Sequence, residues 1–318
     1  VSAGWGKPRA GRAPLAPMRP PTDGRKGPCK RMEIIENRCF DQERALYASA
    51  DVTVRDCRFD GPADGESALK ESENVTAERC YFNLRYPLWH VRGLTARDCE
   101  LTQQCRAAIW YSERIAICGT KLHGIKALRE CRDASLSGCD IRSSEFGWST
   151  AGLTMKDCAA EGEYFLLRAR DITAGGLTLS GKYSFQYIEN AVFDRCTFDT
   201  KDAFWHARNV TVKNSVIRGE YLAWYSEGLT LERCVITGTQ PLCWCRGLRL
   251  IDCELRGADL CFEKSDVTAE LTAPVISIKN PRSGRILVPA AGEIIRDDAR
   301  ARGEVVLTDM PAAPCAGA

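Results

Sequence analysis

"LTLERCVITG" runs from Leu229 to Gly238. Nineteen residues earlier the chain reads "VTVKNSVIRG" (210–219), and nineteen later "LRLIDCELRG" (248–257). Equivalent apolar starts fall at Ile34, Val52, Val75, Leu94, Ile115, Ala134, Leu153, Ile172, Ala191, Val210, Leu229, Leu248 and Val267, and every interval from Ala134 onward is 19. A fixed period near 20 is the mark of a solenoid, in which each unit buries its apolar face only by stacking on its neighbours.

Each unit alternates apolar and polar residues at its start, as in Val210-Thr211-Val212, which is a strand with one buried face. After a polar bend comes a small residue followed two later by a larger apolar one, such as Cys196/Phe198 or Cys234/Ile236, which is a second short strand. The remainder is aromatic ("KDAFWHARN", "GEYLAWYSEG") and is expected to form a third strand, because β-propensity is high and no helical stripe is present. Just before most starts sits Asn, Asp or Gly (Asn74, Gly93, Asp133, Asn190, Asn209, Gly228), as a corner with positive φ requires. The expected fold is all-β: a single-stranded parallel β-helix of about 13 coils of about 19 residues, stacked ~4.8 Å apart. Right-handed winding follows from the handedness of parallel crossovers. A leucine-rich repeat is the rival, since "LTLERCVI" fits that phrase, but its period is longer and the second half of the unit would have to be helical.

The ends are read separately. Residues 1–31 carry eight Lys/Arg against one Asp and are rich in Pro and Gly, so a disordered basic extension is expected, with Met32 as a plausible native start. Residues 32–280 read as the β-helix, with 32–51 capping its start, and 281–318 as a C-terminal cap and tail. No run of about 18 apolar residues is present, so no membrane span is expected, and no secretory signal is visible. Seventeen cysteines in such a chain fit reduced thiols and a cytoplasmic location. Nine of them (39, 57, 80, 99, 139, 158, 196, 234, 253) share one slot with Thr120, Leu177 and Ser215, so they are expected to stack inward as small packing residues. Cys243 and Cys245 form C-x-C, and no C-x-x-C pair supports a zinc site. No metal, cofactor or nucleic-acid motif stands out.

The phrases "ERALY" (43–47), "SALKESENV" (67–75), "RYPLWHVRGL" (85–94), "AAIWYSERI" (107–115), "DAFWHARNVTV" (202–212) and "GEYLAWYSEGLTL" (219–231) carry a family resemblance. Over residues 32–297 the chain resembles an uncharacterised bacterial family of right-handed β-helix proteins, a domain of unknown function grouped with the pectate-lyase-like superfamily. The resemblance implies the fold and assigns no activity or catalytic residue.

The candidate site follows from the aromatic segment. Five residues before each next start stand Lys70, Trp89, Trp110, Arg129, Trp148, Leu167, Gln186, Trp205, Trp224, Cys243 and Phe262, next to an apolar column that includes Leu69, Leu88, Phe185 and Phe204. If that apolar column faces in, its neighbour faces out. The following position adds His90, Tyr111, Tyr187, His206, Tyr225 and Trp244. Read as an exposed ladder of ring faces, these residues suit a carbohydrate or glycoconjugate; in the competing reading a bend turns the tryptophans into the core. Acids near the ladder (Glu161, Glu163, Asp199, Asp202, Glu220, with His206) are weak candidates for a hydrolase or lyase, in which a carboxylate pair acts as acid and base. Glu66, Glu71, His90 and Arg129 form a second possible cluster. A structural or protein-binding solenoid is the remaining alternative, and oligomeric state stays open.

Overall fold

The computed structural model describes residues 33–61 and 66–308. The expected basic extension and the start at Met32 lie outside those residues. Every regular element is a β-strand, and the described residues form a parallel β-helix of about 14 turns. Among the described residues no helix is long and apolar enough to cross a membrane.

The long strands stack in strict register. Ala191 pairs with Val210, Val210 with Leu229, and Leu231 with Leu250. The short strands build a second parallel sheet in the same register, for example Thr197–Lys201 on Thr178–Lys182. Glu33–Glu36 already pairs with Ala50–Arg55, so the segment expected to cap the start is a full turn of the solenoid. The sheet also passes the boundary expected at 280: Ser283–Val288 pairs with Asp266–Leu271, and Glu304–Leu307 with Ser283–Val288. This extension is hard to see in the sequence because the register from Val267 to Gly284 spans only 17 residues.

The third face is not a strand. Over 164–168 the backbone has positive φ at every second residue, Tyr164 (55°), Leu166 (58°) and Arg168 (57°), and the same alternation recurs at Tyr183, Phe185 and Tyr187 and at Asp202, Phe204 and His206. The turns remain hydrogen-bonded: the Leu166 N–H donates back to Phe146 O (2.8 Å), while those of Tyr164 and Arg168 donate forward to Lys182 O (2.9 Å) and Gln186 O (3.0 Å). Left-handed conformations of non-glycine residues cost energy, and here each is held by an inter-turn bond. High β-propensity misleads because it reports packing on a surface rather than backbone angles. The corner column before each start is left-handed as expected, with Asn74, Asp133, Asn190 and Asn209 between 51° and 55°. Asparagine ladders bind these corners together, Asn209 Nδ2 donating to Asn190 Oδ1 at 2.8 Å.

Inside, apolar side chains repeat by column. Phe59 and Phe82 stack at 4.7 Å, and Phe185 meets Phe204 at 4.7 Å and Phe198 at 4.9 Å. Cys57, Cys80, Cys99, Cys139, Cys158, Cys196, Cys234 and Cys253 are all buried. Cys39 is exposed, an exception to the expected inward stack, in the first described turn. The thiols are also donors. Cys234 Sγ reaches Glu232 O and Val212 O, both at 3.4 Å, and Ser215 Oγ in the same slot donates to Lys213 O at 2.6 Å. A small donor in this slot satisfies the bend carbonyls, which explains the interchange of Cys, Ser and Thr, while Leu177 fills the slot by burial alone.

Candidate functional site

The inward column behaves as its spacing demands: Leu69, Leu88, Phe185 and Phe204 are all buried. Trp89, Trp110, Trp148, Trp205 and Trp224 are consequently directed out of the core and are half-buried. Each indole N–H donates to a backbone carbonyl on the next turn: Trp89 to Ala107 O, Trp110 to Lys126 O (both 2.6 Å), Trp148 to Tyr164 O (2.9 Å), Trp205 to Tyr221 O (2.7 Å) and Trp224 to Gln240 O (2.8 Å). Gln186, in the same column, makes the equivalent bond to Asp202 O with its amide (3.1 Å).

The ring faces cover one another. Trp89 and Trp110 stack at 5.1 Å and 3°, and Trp205 and Trp224 at 5.3 Å and 4°. The Arg129 guanidinium sits 5.0 Å from Trp110 and 4.8 Å from Trp148, and Lys70 Nζ is 5.4 Å from Trp89. Because the stacking distance is close to the turn spacing, the ring planes lie across the solenoid axis and present edges outward. The expected platform of open indole faces is absent. Two members of the expected outward column, Cys243 and Phe262, are buried instead. In that turn the aromatic ring moves one place on, to Trp244, which meets Tyr225 at 5.3 Å.

In the next column Tyr187 and Tyr225 are exposed and His206 and Trp244 half-buried. The four rings stack consecutively at 4.8, 5.0 and 5.3 Å. Arg168 stands over the first ring (5.8 Å) and Lys264 over the last (5.6 Å). Burial and the nearby Arg208 hold the His206 imidazole below its ordinary range. At the other end, His90 Nδ1 lies 3.0 Å from Glu71 and its ring meets Tyr111 edge-on at 5.2 Å. Of the second proposed cluster, only Glu71 and His90 are brought together. Glu66 pairs with Arg85 (3.6 Å), and Arg129 approaches Glu130 (3.6 Å) and Glu145 (3.8 Å).

The proposed catalytic acids do not form a facing pair. Glu163 pairs with Lys182 (3.0 Å) and Glu220 with Lys201 (2.8 Å). Glu161 and Asp199 stand on exposed strand positions two turns apart, with Ser180 between them. Asp202 is buried, and that burial raises its carboxyl above the usual range, with Lys201 opposing and Glu220 reinforcing the shift. No group of three metal-ligating side chains occurs among the described residues.

The model for the protein of unknown function DUF3737 matches residues 33–307. The chain belongs to that family. Among curated proteins nothing matches it. Solved structures resemble it weakly. PfbA, a surface adhesin of Streptococcus pneumoniae, is 9% identical over 80% of this chain and 72% of its own, with a TM-score of 0.34. A mutant tailspike protein of E. coli bacteriophage HK620, solved with a hexasaccharide, is 12% identical over 81% and 59%, with a TM-score of 0.33. The A-module of the Azotobacter vinelandii mannuronan C-5 epimerase AlgE4 is 9% identical over 86% and 89%, with a TM-score of 0.29.

One set of residues in this DUF3737 chain escapes a reading focused on aromatics. Two positions before each long-strand start, charge alternates from turn to turn: Glu73, Arg92, Glu113, Arg132, then Ala151, then Arg170, Glu189, Arg208, Glu227, Arg246. Its signal was legible at the 19-residue period. This column and the outward ring column line two pockets. One, of about 700 Å³, lies around Glu71, His90, Arg92, Tyr111 and Glu113. The other, of about 390 Å³, lies around His206, Arg208, Tyr225, Trp244 and Arg246.

Proposed function

We propose that this protein binds a carbohydrate chain in the groove formed at the His206–Arg246 pocket between the outward ring column and the alternating-charge column. The observation that carries the reading is the unbroken outward run Tyr187, His206, Tyr225 and Trp244 beside Glu189, Arg208, Glu227 and Arg246. Each turn, about every 4.8 Å, offers one ring and one charged group, with carboxylate and guanidinium alternating. A polymer of hydroxyl-rich units can meet such a ladder with one hydrogen-bonding set per turn. Ring edges and polar tips make the contacts; the indole faces of the Trp205 column are used inside the protein. No catalytic step is assigned: Glu163 and Glu220 pair with lysines, and Glu161 and Asp199 stand two turns apart on one strand face.

A glycan array tests this with the wild type, Tyr225→Ala and Glu189→Gln. The expected result is a saccharide hit that both variants weaken. No hit for the folded wild type, or a hit that both variants leave intact, rejects the groove.

A further inference from the structure

We infer that the pocket around Glu73 and His90 is a separate binding site for a ligand carrying a primary ammonium group. It lies six turns from the His206 pocket and does not depend on what that pocket binds. The site spans three consecutive turns. Glu71 and Glu73 stand on the first, His90 and Arg92 on the second, and Tyr111 and Glu113 on the third, with Glu73, Arg92 and Glu113 in register. Between the two columns Ser72, Val91 and Ser112 are buried, so the backbone there floors a trough with side chains rising on both sides. Its volume of about 700 Å³ has room for a monosaccharide-sized ligand.

The open polar atoms of this pocket are mostly acceptors. The Val91 N–H donates inward to Ser112 Oγ at 2.9 Å. In a trans peptide the carbonyl points opposite to the N–H, so His90 O faces out into the trough, and it accepts no hydrogen bond among the described residues. His90 Nδ1 lies 3.0 Å from Glu71. A neutral ring that donates from Nδ1 to that carboxylate keeps Nε2 as one more acceptor. Glu73 has no ion pair or side-chain hydrogen bond among the described residues, while Glu113 is held by Arg114 at 3.0 Å. The one guanidinium of the lining does not close the site. Arg92 has no ion pair among the described residues, whereas Arg208, at the same place in the other pocket, is 3.9 Å from Glu189 and 3.6 Å from Glu227. Lys70, beside Glu71 in sequence, places its Nζ over the Trp89 ring at 5.4 Å. Three carboxylates against one guanidinium leave the lining negative. An ammonium group supplies the missing charge together with three donors and no acceptor, which matches Glu73, His90 O and the imidazole. A metal ion is a poorer match, since no group of three metal-ligating side chains occurs among the described residues.

Calorimetric titration of the full chain with glucosamine, cadaverine, N-acetylglucosamine and calcium chloride is the test, repeated with Glu73→Gln and Tyr225→Ala. Glu73 is exposed, and a melting curve checks that each variant folds. An amine should bind, Glu73→Gln should weaken it by about tenfold, and added salt should weaken it further. Tyr225→Ala, in the other pocket, should leave amine affinity unchanged. Glucosamine binding alone makes the source an amino sugar, cadaverine alone an alkyl amine, and both together the ammonium group itself; each result supports the site. Absence of binding by both amines, N-acetylglucosamine binding as tightly as glucosamine, calcium binding more tightly than either amine, or unchanged amine affinity in Glu73→Gln overturns the inference, whatever the glycan array shows.

Discussion

Replacing Trp205 separates a ring that holds turns together from one that holds ligand. In Trp205→Ala the chain loses the N–H bond to Tyr221 O at 2.7 Å and the parallel stack on Trp224 at 5.3 Å. The bond contributes about 1 kcal/mol and the stack about 1 kcal/mol. Half of an indole's area is roughly 100 Å², which adds about 2.5 kcal/mol of lost burial. The expected destabilisation is therefore about 4.5 kcal/mol, in the range of aromatic truncations. Trp205→Phe retains a ring to stack and loses the donor, so it should cost about 1–2 kcal/mol. Because a solenoid can open locally, hydrogen exchange of peptides covering 202–226 should report the change along with the melting temperature. Ligand affinity of the folded Trp205→Phe protein should match the wild type. Unchanged exchange and melting in Trp205→Ala, combined with lost saccharide binding, would falsify this assignment, since it would mean that the indole face meets ligand.

Two further perturbations probe the interior. Cys196→Ser keeps a donor for Asp194 O and Ala174 O, as Ser215 does for its own bend, so its melting temperature should stay near that of the wild type, whereas Cys196→Val should lose about 1 kcal/mol or more; equal losses in both would show that the thiol itself is required. Asp202 has a raised folded-state pKa, so the folded state holds its proton more tightly than the unfolded chain. Its stabilising contribution is complete below the unfolded value near 3.8 and is lost as pH rises through the folded value. Asp202→Asn should accordingly raise the melting temperature at neutral pH, with the gain shrinking towards pH 4; a constant gain at every pH would refute the burial argument.

The parts of this protein that the sequence discloses are those that stacking forces to repeat. Leu229 lies on Val210 because a strand in a parallel ladder has one register that keeps its apolar set inside, so a count of 19 yields sheets, core and corners together. The third face imitates a strand in sequence for a physical reason: a backbone alternating in the sign of φ at Leu166, Phe185 and Phe204 still alternates side chains in and out. The count located the Trp205 column outside the core but carried no information on ring orientation, which depends on the indole N–H finding the Tyr221 carbonyl. The charge column was fully legible from Glu73 to Arg246, yet its continuation at Asp266 was not, because that turn lacks the left-handed corner residue before Val267 and the column moves one place closer to the strand start. Once that turn is placed, the two pockets acquire opposite character. Glu71, Glu73 and Glu113 outnumber Arg92 at one, and four cations outnumber Glu227 at the other. His90 and His206 lie six turns apart, or about 30 Å. Charge of opposite sign at that separation exceeds the ~8 Å screening length of physiological salt, so each pocket acts on its own ligand. The acidic lining at Glu71, Glu73 and Glu113 and the basic lining at Arg208, Arg246 and Arg282 are therefore electrostatically independent of one another.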